Sequence, residues 1–119
     1  PPINTVDVVK RGERIEIGGK IAWPAGATAI RLPDGPYTLA IRPHHISPTA
    51  GRGTGAVLDG RVIVTELSGS ESVIHFDLDG RTWVSQSHGI HPFEAGATAR
   101  LYVDIDQGMY FGPGNELVG

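Results

Sequence analysis

Apolar and polar residues alternate with a period of two along much of this chain, the pattern of a strand with one face buried and one solvated. In Val73-Ile74-His75-Phe76-Asp77-Leu78, the residues Ile74, Phe76 and Leu78 share a face, with His75 and Asp77 on the other. Ala99, Leu101, Val103 and Ile105 alternate in the same way with Arg100, Tyr102 and Asp104, and Tyr37, Leu39 and Ile41 form a third such face. Val62-Ile63-Val64 is a β-branched run, which predicts a strand covered on both sides. Val6-Asp7-Val8-Val9, Ile15-Glu16-Ile17 and Ala29-Ile30-Arg31-Leu32 are expected to add strands in the first part of the chain. With 17 glycines and 9 prolines, no uninterrupted stretch keeps the 3.6-residue period of an amphipathic helix.

Turn chemistry separates these runs. Asp-Gly, which accepts the positive φ angles of a tight turn, occurs at Asp34-Gly35, Asp59-Gly60 and Asp79-Gly80. Leu78-Asp79-Gly80-Arg81 reads as the clearest hairpin, leading into Thr82-Trp83-Val84-Ser85-Gln86. Leu58-Asp59-Gly60-Arg61 repeats its four letters, which a shared turn explains more simply than duplication. Short strands at such spacing, punctuated by turns, point to an all-β barrel or sandwich. The one linker-like segment, residues 47–55, is expected to be a surface loop between two parts that share one core, so residues 1–119 are read as a single domain.

Composition narrows the function classes. A chain of 119 residues with 39% apolar and 19% charged residues fits one soluble domain, and no window approaches the run of about 20 apolar residues that a spanning helix needs. The absence of cysteine excludes a disulfide framework or Cys-ligated zinc, and fits a reducing compartment such as the cytoplasm. A net charge of -3, with basic residues scattered, argues against a nucleic-acid surface. The aromatic residues are few and mostly placed for packing, so no stacking platform beside a basic groove is expected.

Two segments carry the most information. Thr38-Leu39-Ala40-Ile41-Arg42-Pro43-His44-His45-Ile46-Ser47 ends a strand at a proline, which cannot donate to a sheet ladder. Taken alone, Arg42 there is a solvated cation or the partner of a nearby carboxylate. In Val64-Thr65-Glu66-Leu67-Ser68-Gly69-Ser70-Glu71-Ser72-Val73, Gly69 supplies freedom for a turn, while Ser70 and Glu71 can accept hydrogen bonds from exposed amides.

Together these segments resemble the two signature phrases of the transport-associated OB-type (TOBE) domain, the C-terminal regulatory domain of sugar- and polyol-type ABC importer ATP-binding subunits. Residues 39–46 resemble the family's Gly-Ile-Arg-Pro-Glu-His-Ile, with Ala40 in place of Gly and His44 in place of Glu. The stretch 92–104 resembles the turn into the family's last long strand, and 109–117 its aromatic pair and polar ending. The resemblance is best over residues 37–117 and weakest over 7–35.

The resemblance implies an all-β fold, an OB-like or MOP-like β-barrel built from short antiparallel strands, serving as a regulatory and dimerisation domain whose parent chain is an ABC-type ATPase lying N-terminal to Pro1. ATP and Mg would belong to that parent domain, with no cofactor in this stretch. Partners would be a second copy of the subunit, the transporter's membrane subunits and a regulatory protein, at the cytoplasmic face of the cell membrane. The regulatory or interface candidates are Arg42, Pro43, His45, Gly69, Ser70 and Glu71, with Arg42 and Glu71 expected to orient loops at one barrel end by hydrogen bonds or an ion pair. The alternative is an independent OB-type module binding a small ligand such as an oxyanion.

Other chemistry is poorly supported by the sequence. His44-His45 and His88-Gly89-Ile90-His91 suggest metal ligands, but without cysteine, and with the second pair in a glycine loop, solvated histidines are expected and no metal site. Serine, histidine and aspartate are present without a nucleophile-elbow pattern, and no phosphate-binding loop occurs, so no catalytic residue is expected in this stretch.

Overall fold

Ten antiparallel strands form two five-stranded sheets in the computed structural model, which describes residues 3–50 and 55–119. The strands are β1 Asn4–Arg11, β2 Arg14–Ile17, β3 Ile21–Pro24, β4 Gly35–Ile41, β5 Ile46–Ser47, β6 Ala56–Ser68, β7 Glu71–Leu78, β8 Arg81–His88, β9 Thr98–Val103 and β10 Met109–Phe111. One sheet runs β10-β4-β1-β2-β3 and the other β5-β9-β6-β7-β8. The result is a nearly closed antiparallel β-barrel consistent with an OB-like fold, all-β as the alternating pattern predicts and OB-like as the resemblance implies.

The alternation sets the core. Ile74, Phe76 and Leu78 on β7, Ala99, Leu101 and Val103 on β9, and Leu39 and Ile41 on β4 are all buried, in one cluster with Val6, Val8, Ile15 and Ile17 from the first strands. Trp23, Trp83, Phe76 and Tyr110 are the largest side chains in it, so these aromatics are spent on packing.

Side chains close the seams between the sheets. Asn4 on β1 meets the outer edge of β8 as a strand would: its Nδ2 donates to the Val84 carbonyl, and its Oδ1 accepts from the Val84 N–H, both at 2.8 Å. The Trp83 indole donates to the Thr5 carbonyl and the Trp23 indole to the Val57 carbonyl, each at 3.0 Å. Buried polar edges are thereby satisfied where ladder pairing stops.

The Asp79-Gly80 hairpin forms as expected, with φ of 49° and 81° at its two central residues, the combination that suits strand twist. Three expectations from the sequence are corrected. Asp59-Gly60 is not a turn but the middle of β6, where Asp59 pairs with Arg100 and Gly60 with Ala99. A Cβ on Gly60 would lie 2.8 Å from Phe76 Cδ2, so the glycine there makes room for the ring.

Val62-Ile63-Val64 is not covered on both sides: Val62 is buried, but a bulge between Val62 and Val64 breaks the register, and Ile63 and Val64 are 43% and 45% exposed. Ala29-Ile30-Arg31-Leu32 is not a strand. One helical turn, Gly26–Ala29, precedes a non-strand bend, and the Ala27 N–H donates to Asp106 Oδ1 at 2.8 Å. Ala29 and Leu32, three residues apart, then face the core together.

The segment 47–55 falls partly on residues 51–54, outside the described residues. Its first residue, Ser47, belongs to β5 and pairs with Tyr102 of β9.

Candidate functional site

Strand β8 brings the two informative segments together. β4 ends at Ile41, and Arg42 keeps an extended backbone (φ -76°, ψ 148°) ahead of a 3-10 turn, Pro43–His45. The fixed φ of Pro43 suits the first position of the turn, where a missing N–H costs nothing. The His45 N–H closes the turn on the Arg42 carbonyl at 3.0 Å. The turn packs against β8, and Ser85 Oγ of that strand donates to the Ile46 carbonyl at 2.6 Å.

Pro43 is buried, while Arg42 and His44 are exposed. The His44 and His45 rings lie 4.0 Å apart between centroids. His45 is partly buried, with Nδ1 shielded from solvent and unpartnered, and its carbonyl accepts from the Asp104 N–H at 2.9 Å. Burial pushes the His45 pKa below its ordinary value. The neighbouring His44 and Arg42 charges act in the same direction, and Asp104 opposes them.

The second segment forms the β6–β7 hairpin. Gly69 and Ser70 are its two turn residues, and Gly69 has a φ of +60°, a value a side chain resists. The Ser70 carbonyl accepts from the Gly89 N–H at 2.6 Å. Ser72 is fully buried; its hydroxyl donates to the Gly89 carbonyl at 2.7 Å and accepts from the His91 N–H at 2.8 Å. This hairpin therefore holds the Gly89–His91 loop, and the His91 ring folds back onto the His88 carbonyl at 3.1 Å.

Glu71 lies opposite His88, with a long contact of 3.5 Å from Gln86 Nε2 to its Oε1. No ion pair joins Arg42 to Glu71 among the described residues, so the expected link between the segments is not made by those two side chains. It is made by β8 and by a cavity of about 420 Å³. His44, Ser47 and Thr49 line it from the first segment and its continuation, Glu71 from the second, and Gln86, Ser87 and His88 from β8. Ser47 Oγ lies 2.9 Å from Thr49 Oγ1 and accepts from the Thr49 N–H at 3.1 Å. The Ser87 hydroxyl is shielded from solvent and has no hydrogen-bond partner.

Of the six regulatory or interface candidates only Glu71 lines this cavity, while His44 and His88, weighed in the sequence as metal ligands, line it too. Gly69 and Ser70 shape the hairpin behind it, Pro43 sets the turn beside it, and Arg42 and His45 are not among its lining residues. No three of His, Asp and Glu gather as a metal site among the described residues. Ser72, Gln86 and Ser87 were not legible as site residues. Ser72 alone carried a signal, as a serine in phase with the buried face of Ile74, Phe76 and Leu78.

A family profile described as TOBE domain matches residues 39–111, more than half of the chain and both segments with it. The chain belongs to the TOBE-domain family. No curated protein matches it. The matched part of this TOBE domain begins on β4 and ends with β10, taking in the whole β5-β9-β6-β7-β8 sheet, while β1 to β3 lie ahead of it. The cavity-lining residues all fall inside the TOBE match.

Proposed function

We propose that this TOBE domain is the regulatory and dimerisation part of an ABC-transporter ATPase subunit, coupling contact with a second copy, and regulatory signals, to ATP-driven uptake of a sugar or polyol-type solute. On this reading ATP and Mg bind in the parent chain's ATPase domain, and membrane subunits are reached through that chain at the cytoplasmic face. Family membership supports the association with transport.

The observation that carries the contact with a second copy is the free edge of β6. β9 pairs with β6 from Ala56 to Arg61, and the last backbone bonds on that side join Val62 to Ala97 and Gly96. From Ile63 to Ser68, β6 has β7 on one side and no strand on the other among the described residues. Because the two-residue turn makes Ser68 and Glu71 a hydrogen-bonded pair, alternation turns the N–H and C=O of Thr65 and Leu67 toward the free side.

Ile63, Val64 and Leu67 are exposed along this edge. It carries no lysine or proline as protection, and its one charge, Glu66, is held by His75 Nε2 at 2.7 Å. An edge this short supports a weak contact, one that suffices when the remainder of the subunit also dimerises.

Sedimentation equilibrium of the chain over a wide concentration range tests the proposal. Weak reversible dimerisation is expected, lost in Leu67→Lys and in Thr65→Pro, which removes an outward N–H. A strict monomer at the highest concentration, or a dimer that both variants leave intact, would remove the β6 edge as the contact.

A further inference from the structure

We infer that the cavity between the Pro43–His45 turn and the end of β8 binds a small, uncharged, polyhydroxylated compound. Its volume of about 420 Å³ lies within the range of roughly 300–1,000 Å³ usual for small-molecule sites. The chemistry of its wall selects among ligand classes.

Among the described residues no lysine or arginine lines the cavity, and Glu71 places a carboxylate in its wall. A carboxylate only accepts hydrogen bonds and repels an anion, so an oxyanion is the ligand this wall disfavours. A bare metal ion is disfavoured too, because His44, His88 and Glu71 line the cavity without forming a three-ligand group. The remaining groups are hydroxyls and an amide, each able to donate and accept: Ser47, Thr49 and Gln86.

Neighbouring hydroxyls on a carbon chain or ring match this wall, since each can donate to Glu71 while accepting from an amide or hydroxyl. Gln86 reaches Glu71 only at 3.5 Å, so the carboxylate keeps its accepting capacity for a guest.

The site is also well placed to act on its surroundings. Its walls come from the turn after β4, from the start of β7 and from the end of β8, and the residue next to Glu71, Ser72, ties down the Gly89–His91 loop. Occupancy would therefore fasten the hairpin that carries the free β6 edge to the rest of the barrel. The binding site stands apart from the dimerisation reading: ligand titration reports on the cavity and sedimentation on the edge, so either can fail alone.

Isothermal titration and ligand-observed NMR of the chain with glycerol, sorbitol, glucose and maltose, and with sulfate and phosphate for comparison, test the inference. One-to-one binding of at least one of the polyhydroxylated compounds is expected in the millimolar range or tighter, with no binding of the anions. Glu71→Gln and Gln86→Ala should each weaken it, the former by about tenfold, as loss of a charge-assisted hydrogen bond implies. Both residues sit at the barrel's end, and circular dichroism of each variant checks that it folds. Failure of all four compounds to bind, binding that both variants leave unchanged, or preferential binding of sulfate or phosphate would overturn the inference.

Discussion

The two halves of β6 are built from similar residues and meet opposite fates. From Ala56 to Val62 the strand lies between β9 and β7 or beside β9, with Ala56, Leu58, Gly60 and Val62 turned into the core. From Ile63 to Ser68 it keeps only β7, and Ile63, Val64 and Leu67 stand in solvent at 43%, 45% and 47% exposure. The molecule's long axis is 42 Å against 25 and 23 Å across, and 13 residues at about 3.3 Å each let β6 run much of that length. Hydrophobicity is similar in the two halves, so what separates them is the supply of neighbours: β9 stops, the bulge at Ile63 shifts the phase, and apolar side chains are left without a facing layer.

The widest contrast is expected from cutting into the inner half's packing. Phe76 is fully buried on β7 opposite Val62 and stacks edge-on against Trp83, with ring centroids 6.5 Å apart. Phe76→Ala should cost about 3–5 kcal/mol in urea unfolding, whereas Leu67→Lys on the outer half should stay within about 0.5 kcal/mol. Equal losses in the two variants would mean that the halves do not differ in support.

Gly60 sharpens the comparison with a smaller change. A methyl group there would meet Phe76 Cδ2 at 2.8 Å and Leu58 Cδ1 at 3.1 Å, so Gly60→Ala should destabilise by about 1–3 kcal/mol despite the gain in strand propensity. Chemical denaturation of this single variant distinguishes a glycine needed for close packing from one tolerated in a strand; a stabilised variant would show that Phe76 can step aside.

Gly60 also marks where reading the sequence reached its end. Period-two alternation placed β4, β7 and β9 and their inward residues, because one face of each strand meets the core and the other meets water. Asp79-Gly80 was legible as a hairpin since both residues must take positive φ, but Asp59-Gly60 has the same letters and sits mid-strand, where what matters is a ring supplied by another strand. The run at Val62 misled for a related reason: β-branched residues favour a strand, and nothing local tells how far the neighbouring strand extends. Both site segments were visible as phrases, yet of the six candidates drawn from them Glu71 alone lines the cavity they enclose. Gln86 and Ser87 reach it because β8 pairs with β7, a relation that no spacing in the sequence carries.

The smallest effect is expected at the start of the barrel-supported region, where His45 joins β5 to the end of β9. Its pKa lies below the ordinary 6.5, chiefly through burial, so between the two values the unfolded chain binds more protons than the folded one. Stability should therefore rise with pH across that interval: undiminished by His45 above about pH 6.5, and lost as pH falls below it toward the folded pKa. Replacing the ring with a group that does not titrate, His45→Gln, should flatten this part of the pH–stability curve while leaving its acid limb, set by carboxylates such as Asp34, in place. Asp34 acts in the same sense at lower pH: its pKa is held below 3.8 by the Gly12 N–H and Lys10, so its contribution is lost only as pH falls through the carboxylate range. A curve for His45→Gln that superimposes on the parent's from neutral pH down to about pH 5 would mean that the turn before β5 is held by Pro43 and the Ser85–Ile46 bond alone, with no electrostatic part in its support.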